Sequence, residues 1–312
     1  MKPLTASSTL SKNTISGLNL LLLLLKSNIM TPLVTLTPGA YGHSILQDVA
    51  LICVLAAVMA GIIHSWLRSA IPSLQWNQIG KVDTSLFGPL DILGCILVTL
   101  PFTVTLAMPH VDPSMTELSP LSMLINFGIL IMMAAIVLGL FTARDRYPDG
   151  LGLQPKHPAQ VIAWAAAAYI LIYIISIILG QAGLEQWLSE RLGEKQNQHI
   201  VNEMLNTQSG EKLLIIILGA CVIAPVAEEI IFRGYLYPVI KRFSEPTIAA
   251  ITSGILFGAI HGQIWALIPL SIFGILLAIL YEKSGSIWAP ILCHAMFNSI
   301  NIFFMLTMGD QL

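Results

Sequence analysis

Long apolar runs separated by short polar breaks dominate this chain. About eight of the runs are long enough to cross a hydrocarbon core roughly 30 Å thick. They are Val49–Leu67, Leu86–Met108, Leu121–Phe141, Val161–Gly180, Leu213–Ile240, Thr247–Gln263, Trp265–Tyr281 and Ser286–Met305. The pattern predicts an all-α, polytopic membrane protein of about eight transmembrane helices. The fifth run is overlong, and Pro225 and Pro238 predict a bend or break in it. Gly254-x-x-x-Gly258 in the sixth lets a neighbouring backbone come close.

The breaks sort the chain into four parts. Residues 1–48 are expected to be a poorly ordered or interfacial tail. Within it Leu18–Leu25 is too short to span, since a span needs about 20 residues. Lys2 and Lys12 resemble the start of a signal peptide, but no clear small-residue cleavage site follows, and Met30 is an equal candidate for the start. Residues 49–180 hold four spans, and residues 212–312 hold four more. Between them, residues 181–211 place Leu184, Trp187, Leu188 and Leu192 among Glu and Arg, the pattern of an interfacial helix or of a solvated connector. Lys and Arg gather in the loops after odd-numbered spans, which puts those loops in the cytoplasm and both termini outside.

Composition sharpens this. Of the 312 residues 55% are hydrophobic and only 10% charged, against about 25% charged in soluble domains. With a net charge of −2, nothing points to nucleic acid. Cys53, Cys95, Cys221 and Cys293 all lie in apolar runs without metal-ligand spacing and read as small hydrophobes.

Against that background a few ionisable residues stand out, because charge at bilayer depth is costly and by default functional. Glu228, Glu229 and Arg233 interrupt the fifth span. Glu229 and Arg233 are four apart and share a helix face, whereas Glu228 is turned about 100° away. One acid can thus be held by the arginine while the other is free for chemistry. His261 falls near the end of the sixth span, four after Phe257, and His294 falls in the eighth, four before Asn298. Helical rise puts Glu228, His261 and His294 about 20, 24 and 16 Å from the basic side, depths at which they can meet in a buried polar site. His64, Asn126 and Asn301 read as interhelical packing groups, and Asp91 as an acid suited to the start of its helix dipole.

Glu228-Glu229-x-x-x-Arg233-Gly234, Phe257-x-x-x-His261 and His294-x-x-x-Asn298 together resemble the three-motif signature of the CPBP family. These are the CAAX-prenyl protease type 2 and bacteriocin-processing intramembrane proteases, also called the Abi family. The resemblance covers about residues 211 to 305, so that 212–312 would be the catalytic core. It implies an intramembrane endopeptidase that hydrolyses a peptide bond in membrane-embedded or lipid-modified substrates. It also implies that Glu228 activates water with help from His261, that His294 and Asn298 stabilise the oxyanion, and that Glu229, Arg233 and Phe257 support the site.

The chemistry of the residues is compatible with those roles. Burial moves a carboxylate towards useful basicity, and an imidazole and an amide on one helix face can donate to a developing negative oxygen. Zinc is the alternative, since Glu and His are acceptable ligands. It is not favoured, because adjacent helical residues point apart, so no cofactor is expected. The expected partners are a membrane-embedded peptide or protein substrate and the lipid bilayer; oligomeric state is not readable. The location is an integral multi-pass membrane protein, of the plasma (inner) membrane if bacterial. Two other functions use the same buried acids: a transporter or proton relay, or a non-catalytic immunity or scaffold protein. No internal repeat supports the former.

Overall fold

The structure is a computed structural model, and it describes Val58 and residues 80–107, 119–147, 149–192 and 204–308. All of these lie in one compact unit, His43–Leu312. The tail over residues 1–48 and the rest of the first predicted span fall outside the described residues.

Among the described residues the fold is helical without a strand. We number the main helices α1 (Leu90–Ala107), α2 (Pro120–Ala143), α3 (Pro158–Gln181), α4 (Leu184–Leu192), α5 (Gly210–Phe243), α6 (Pro246–Ala259), α7 (Ile264–Ser284) and α8 (Trp288–Met308). Five have the length and apolarity to cross a bilayer: α2, α3, α5, α7 and α8. Among the described residues the expected count of eight is not confirmed: Leu90–Phe102 and Pro246–Ala259 are shorter, and the first predicted span lies outside them but for Val58. Large side chains such as Leu121, Ile162 and Ile178 point outward, as they do where the solvent is lipid. The chain is an integral, multi-pass membrane protein.

Local sequence explains where helices begin. Ser119 Oγ accepts from Ser122 N–H, Ser209 Oγ accepts from Lys212 N–H, and Pro120, Pro158 and Pro246 sit where a missing N–H costs nothing. The predicted amphipathic connector contains α4, whose Leu188 is buried while Trp187 is exposed.

The sixth predicted span ends earlier than its apolar run. α6 is 14 residues long, about 21 Å of rise. It stops at Ala259, and Gly262 at φ 65° turns the chain into α7. His261 consequently lies in a turn rather than inside the helix. Along this hairpin the backbones are close: a Cβ on Gly254 would lie 2.7 Å from Ile275 N, and one on Gly258 2.7 Å from Leu267 O. The Gly254-x-x-x-Gly258 face is thus the contact face expected of it.

Two buried polar clusters tie further elements together. Asp91 in α1 accepts from Arg144 Nη2 (2.8 Å), from Tyr235 Oη in α5 (3.0 Å) and from Gly88 N–H (2.8 Å). Lys241 Nζ in α5 donates to Glu282 of α7 and to Val82 O, each at 2.9 Å, while Tyr237 Oη donates to Glu282 at 2.7 Å. Neither cluster follows from sequence spacing, because apart from the local Gly88–Asp91 bond their partners are 41 or more residues apart.

Candidate active site

The site is built around α5, which packs against α2, α6 and α8. Its helix is continuous but not uniform. Gly219–Ile223 and Ile230–Leu236 are π-helical, and the α-helical turns Ala224–Glu229 and Tyr237–Phe243 follow them. Each of those turns has proline as its second residue, Pro225 and Pro238. An interior proline removes an N–H and crowds the carbonyl four residues back. Here the helix widens instead of breaking: Ala224 N–H bonds Gly219 O and Tyr237 N–H bonds Phe232 O, both five residues back. Such π segments recur at functional sites.

Glu228 and Glu229 lie between the two π segments and have different surroundings. Glu229 is fully buried, and its Oε1 accepts from Arg233 Nη1 and pairs with His294 Nδ1, each at 2.9 Å. Arg233, also fully buried, donates through Nη2 to Gly274 O at 2.8 Å. Gly274 belongs to the close face of α7, where its own Cβ would lie 2.8 Å from Gly254 Cα. Glu228 is partly buried, and its Oε2, like Glu229 Oε2 and Arg233 Nε, is buried without a protein hydrogen-bond partner among the described residues. Buried polar atoms are almost always hydrogen-bonded to protein or water, so all three of these atoms are open to water or substrate.

Phe257 links the remaining groups. Its fully buried ring has Arg233 Cζ at 4.7 Å from its centroid, the range of a cation–π contact. The rings of His261 and His294 lie 5.0 and 5.5 Å away, and Phe232 and Phe273 close the aromatic shell at 5.4 and 6.3 Å. Glu229, Arg233, Phe257, His261 and His294 are thus brought together from three helices and a turn. His294 turns out to be a direct partner of Glu229, a contact that sequence spacing does not show.

Hydrogen bonding fixes which ring nitrogens are in use. His261 Nδ1 lies 2.7 Å from Phe257 O, and a carbonyl only accepts, so Nδ1 carries the proton. Nε2 of His261 is left for chemistry. His294 has Nδ1 on a carboxylate and likewise keeps Nε2. Asn298 Nδ2 donates to Ala220 O in the first π segment at 2.8 Å, which leaves its second N–H. Glu229 Oε1 and both Nδ1 atoms are committed to protein partners, and no group of three or more His, Cys, Asp or Glu side chains that could hold a metal ion occurs among the described residues.

This segment has known relatives. Residues 210–300 match the family model described as Type II CAAX prenyl endopeptidase Rce1-like. The resemblance carried by the three motifs is borne out. The match spans α5 to most of α8, the part of the chain that holds every candidate site residue. Two curated bacterial proteins are also similar. One is "Putative membrane peptidase YdiL" of Bacillus subtilis (strain 168), 24% identical over 199 residues, 62% of this chain and 75% of that protein. The other is "UPF0177 protein YajF" of Lactococcus lactis subsp. lactis (strain IL1403), 28% identical over 170 residues, 52% of this chain and 76% of that protein. No solved structure matches the chain significantly.

Proposed function

We propose that the chain is an intramembrane endopeptidase of the glutamate type, acting on membrane-embedded or lipid-modified peptides. The observation that carries this is the division between the two acids. Glu229 is fully buried and held through Oε1 by Arg233 and His294, although its own Oε2 has no protein partner among the described residues, while Glu228 is only partly buried and its Oε2 likewise has none there. The family match to a type II CAAX prenyl endopeptidase supports the reaction class.

In this reading Glu228 takes a proton from a water molecule, and the resulting hydroxide attacks the carbonyl carbon of the scissile peptide. His261 Nε2 orients that water. The tetrahedral oxyanion receives hydrogen bonds from the second N–H of Asn298 and from Nε2–H of His294, whose other ring nitrogen lies on Glu229. Glu228 then gives its proton to the leaving amine, the C–N bond breaks, and the carboxylate is restored. Phe257 and its aromatic neighbours keep bulk water out, which strengthens each of these interactions.

No metal takes part. The test is direct: wild type and Glu228→Ala are reconstituted in vesicles with a panel of membrane peptides. Cleavage by wild type that survives a chelator and disappears in Glu228→Ala is the expected result. Failure of wild type to cleave any peptide, together with a fully functional Glu228→Ala in cells, overturns the protease reading. Activity that a chelator removes and zinc restores overturns the metal-free mechanism.

A further inference from the structure

We infer that Pro225 is a positioning residue for Asn298, through the backbone carbonyl of Ala220. The inference rests on the endopeptidase reading for its catalytic consequence, but its structural half stands apart from it.

In an α-helix the Ala220 carbonyl would accept from the N–H of residue 224, and in a π-helix from that of residue 225. Ala224 N–H is on Gly219 O instead. Residue 225 is proline and has no N–H. Both helical donors are therefore lost to Ala220 O, and the amide of Asn298, from α8, supplies one at 2.8 Å. A carbonyl freed in this way is a fixed acceptor on rigid backbone. It holds the planar amide of Asn298, so the directions of its second N–H and of Oδ1 are set. His294, four residues earlier on the same face of α8, is held by Glu229. The polar face of α8 is thus pinned to α5 at two points, one on a side chain and one on the carbonyl released by Pro225.

The arrangement makes a specific statement about coupling. With alanine at 225 the N–H returns, Ala220 O is satisfied within the helix, and Asn298 loses its anchor. A double-mutant cycle of Pro225→Ala and Asn298→Ala in the full chain reads this as thermal unfolding in detergent and as cleavage kinetics. With Pro225 present, Asn298→Ala lowers Tm by about 2–6 °C, since a buried carbonyl loses its partner. In the Pro225→Ala background the same change lowers Tm by less than half as much. Pro225→Ala alone lowers kcat about tenfold with KM unchanged, as expected when a group acting only in the transition state is misaligned.

Additive Tm changes overturn the inference whether or not any peptide is cleaved. Coupled Tm changes with an unchanged kcat in Pro225→Ala make the proline purely structural and overturn it too. Absence of cleavage by wild type itself sinks the endopeptidase reading and, with it, the catalytic half of the inference, while the Tm cycle still reads the structural half. Asn298→Leu, similar in volume and without a donor, replaces Asn298→Ala in the cycle if the latter does not fold.

Discussion

Nδ1 of His294 lies 2.9 Å from Oε1 of Glu229, the same oxygen that receives Arg233 Nη1. One carboxylate oxygen therefore anchors a helix neighbour and a residue 65 positions away. Glu229 is an organiser rather than a free base, and its exchange is predicted to act on the fold. Glu229→Gln leaves Arg233 charged and buried without the carboxylate it is bonded to, which costs about 3–5 kcal/mol. Glu228→Gln removes no protein hydrogen bond at Oε2, so stability changes by less than about 0.5 kcal/mol while cleavage is lost. Chemical unfolding in micelles and peptide cleavage on both variants check this; the reverse assignment of the two phenotypes would sink it.

Arg233 is not replaceable by lysine. Its guanidinium spans Glu229 and Gly274 O at once while lying over Phe257, and a single ammonium does not reproduce that fork. Arg233→Lys is expected to lose one charge-assisted hydrogen bond, about 1.5–3 kcal/mol, and to reduce activity through Glu229 and His294. Equal thermal stability of Arg233→Lys and wild type would contradict the geometry.

The α6–α7 contact makes a prediction with an internal control. An added methyl at Gly254 or Gly258 meets α7 backbone below 3 Å, whereas one at Gly128 meets nothing within 4 Å. Gly258→Ala forces the hairpin apart at a cost of about 1–3 kcal/mol and moves His261, three residues on, away from the Phe257 face. Gly128→Ala is neutral or slightly stabilising. Unfolding midpoints of the two variants measured side by side decide the matter, with indistinguishable values counting against the close packing.

Much of the site was legible because it depends on short spacing. Glu229 and Arg233 met as residues four apart on a helix do, and His261 and His294 converged as their shared depth required. What spacing cannot carry is the rotation of one helix against another, and the His294–Glu229 bond depends on it. The π segments were half legible: Pro225 and Pro238 announced an irregular helix, but widening instead of breaking leaves the Ala220 carbonyl to a donor from another helix, Asn298. The early end of α6 had a local signal, Gly262, which the apolar run around it masked. Asp91 was read as a helix-start acid, and its partners Arg144 and Tyr235 lie 53 and 144 residues away, beyond any local pattern.

The cluster of Lys241 and Glu282 offers the last prediction. Lys241 is 1% exposed and Glu282 8%, so the pair is held in low dielectric and each charge depends on the other. Removing one partner strands the second, which costs about 3–5 kcal/mol, whereas replacing both by apolar residues of similar size is often neutral. Lys241→Met is therefore expected to destabilise strongly by itself, and Lys241→Met with Glu282→Leu to regain part of the loss. Recovery will be incomplete, because Tyr237 Oη and Val82 N–H also use Glu282, and Val82 O uses Lys241. Unfolding free energies of the two single variants and the double variant test this. Losses that simply add would mean that the two charges do not depend on each other and that the contact is incidental.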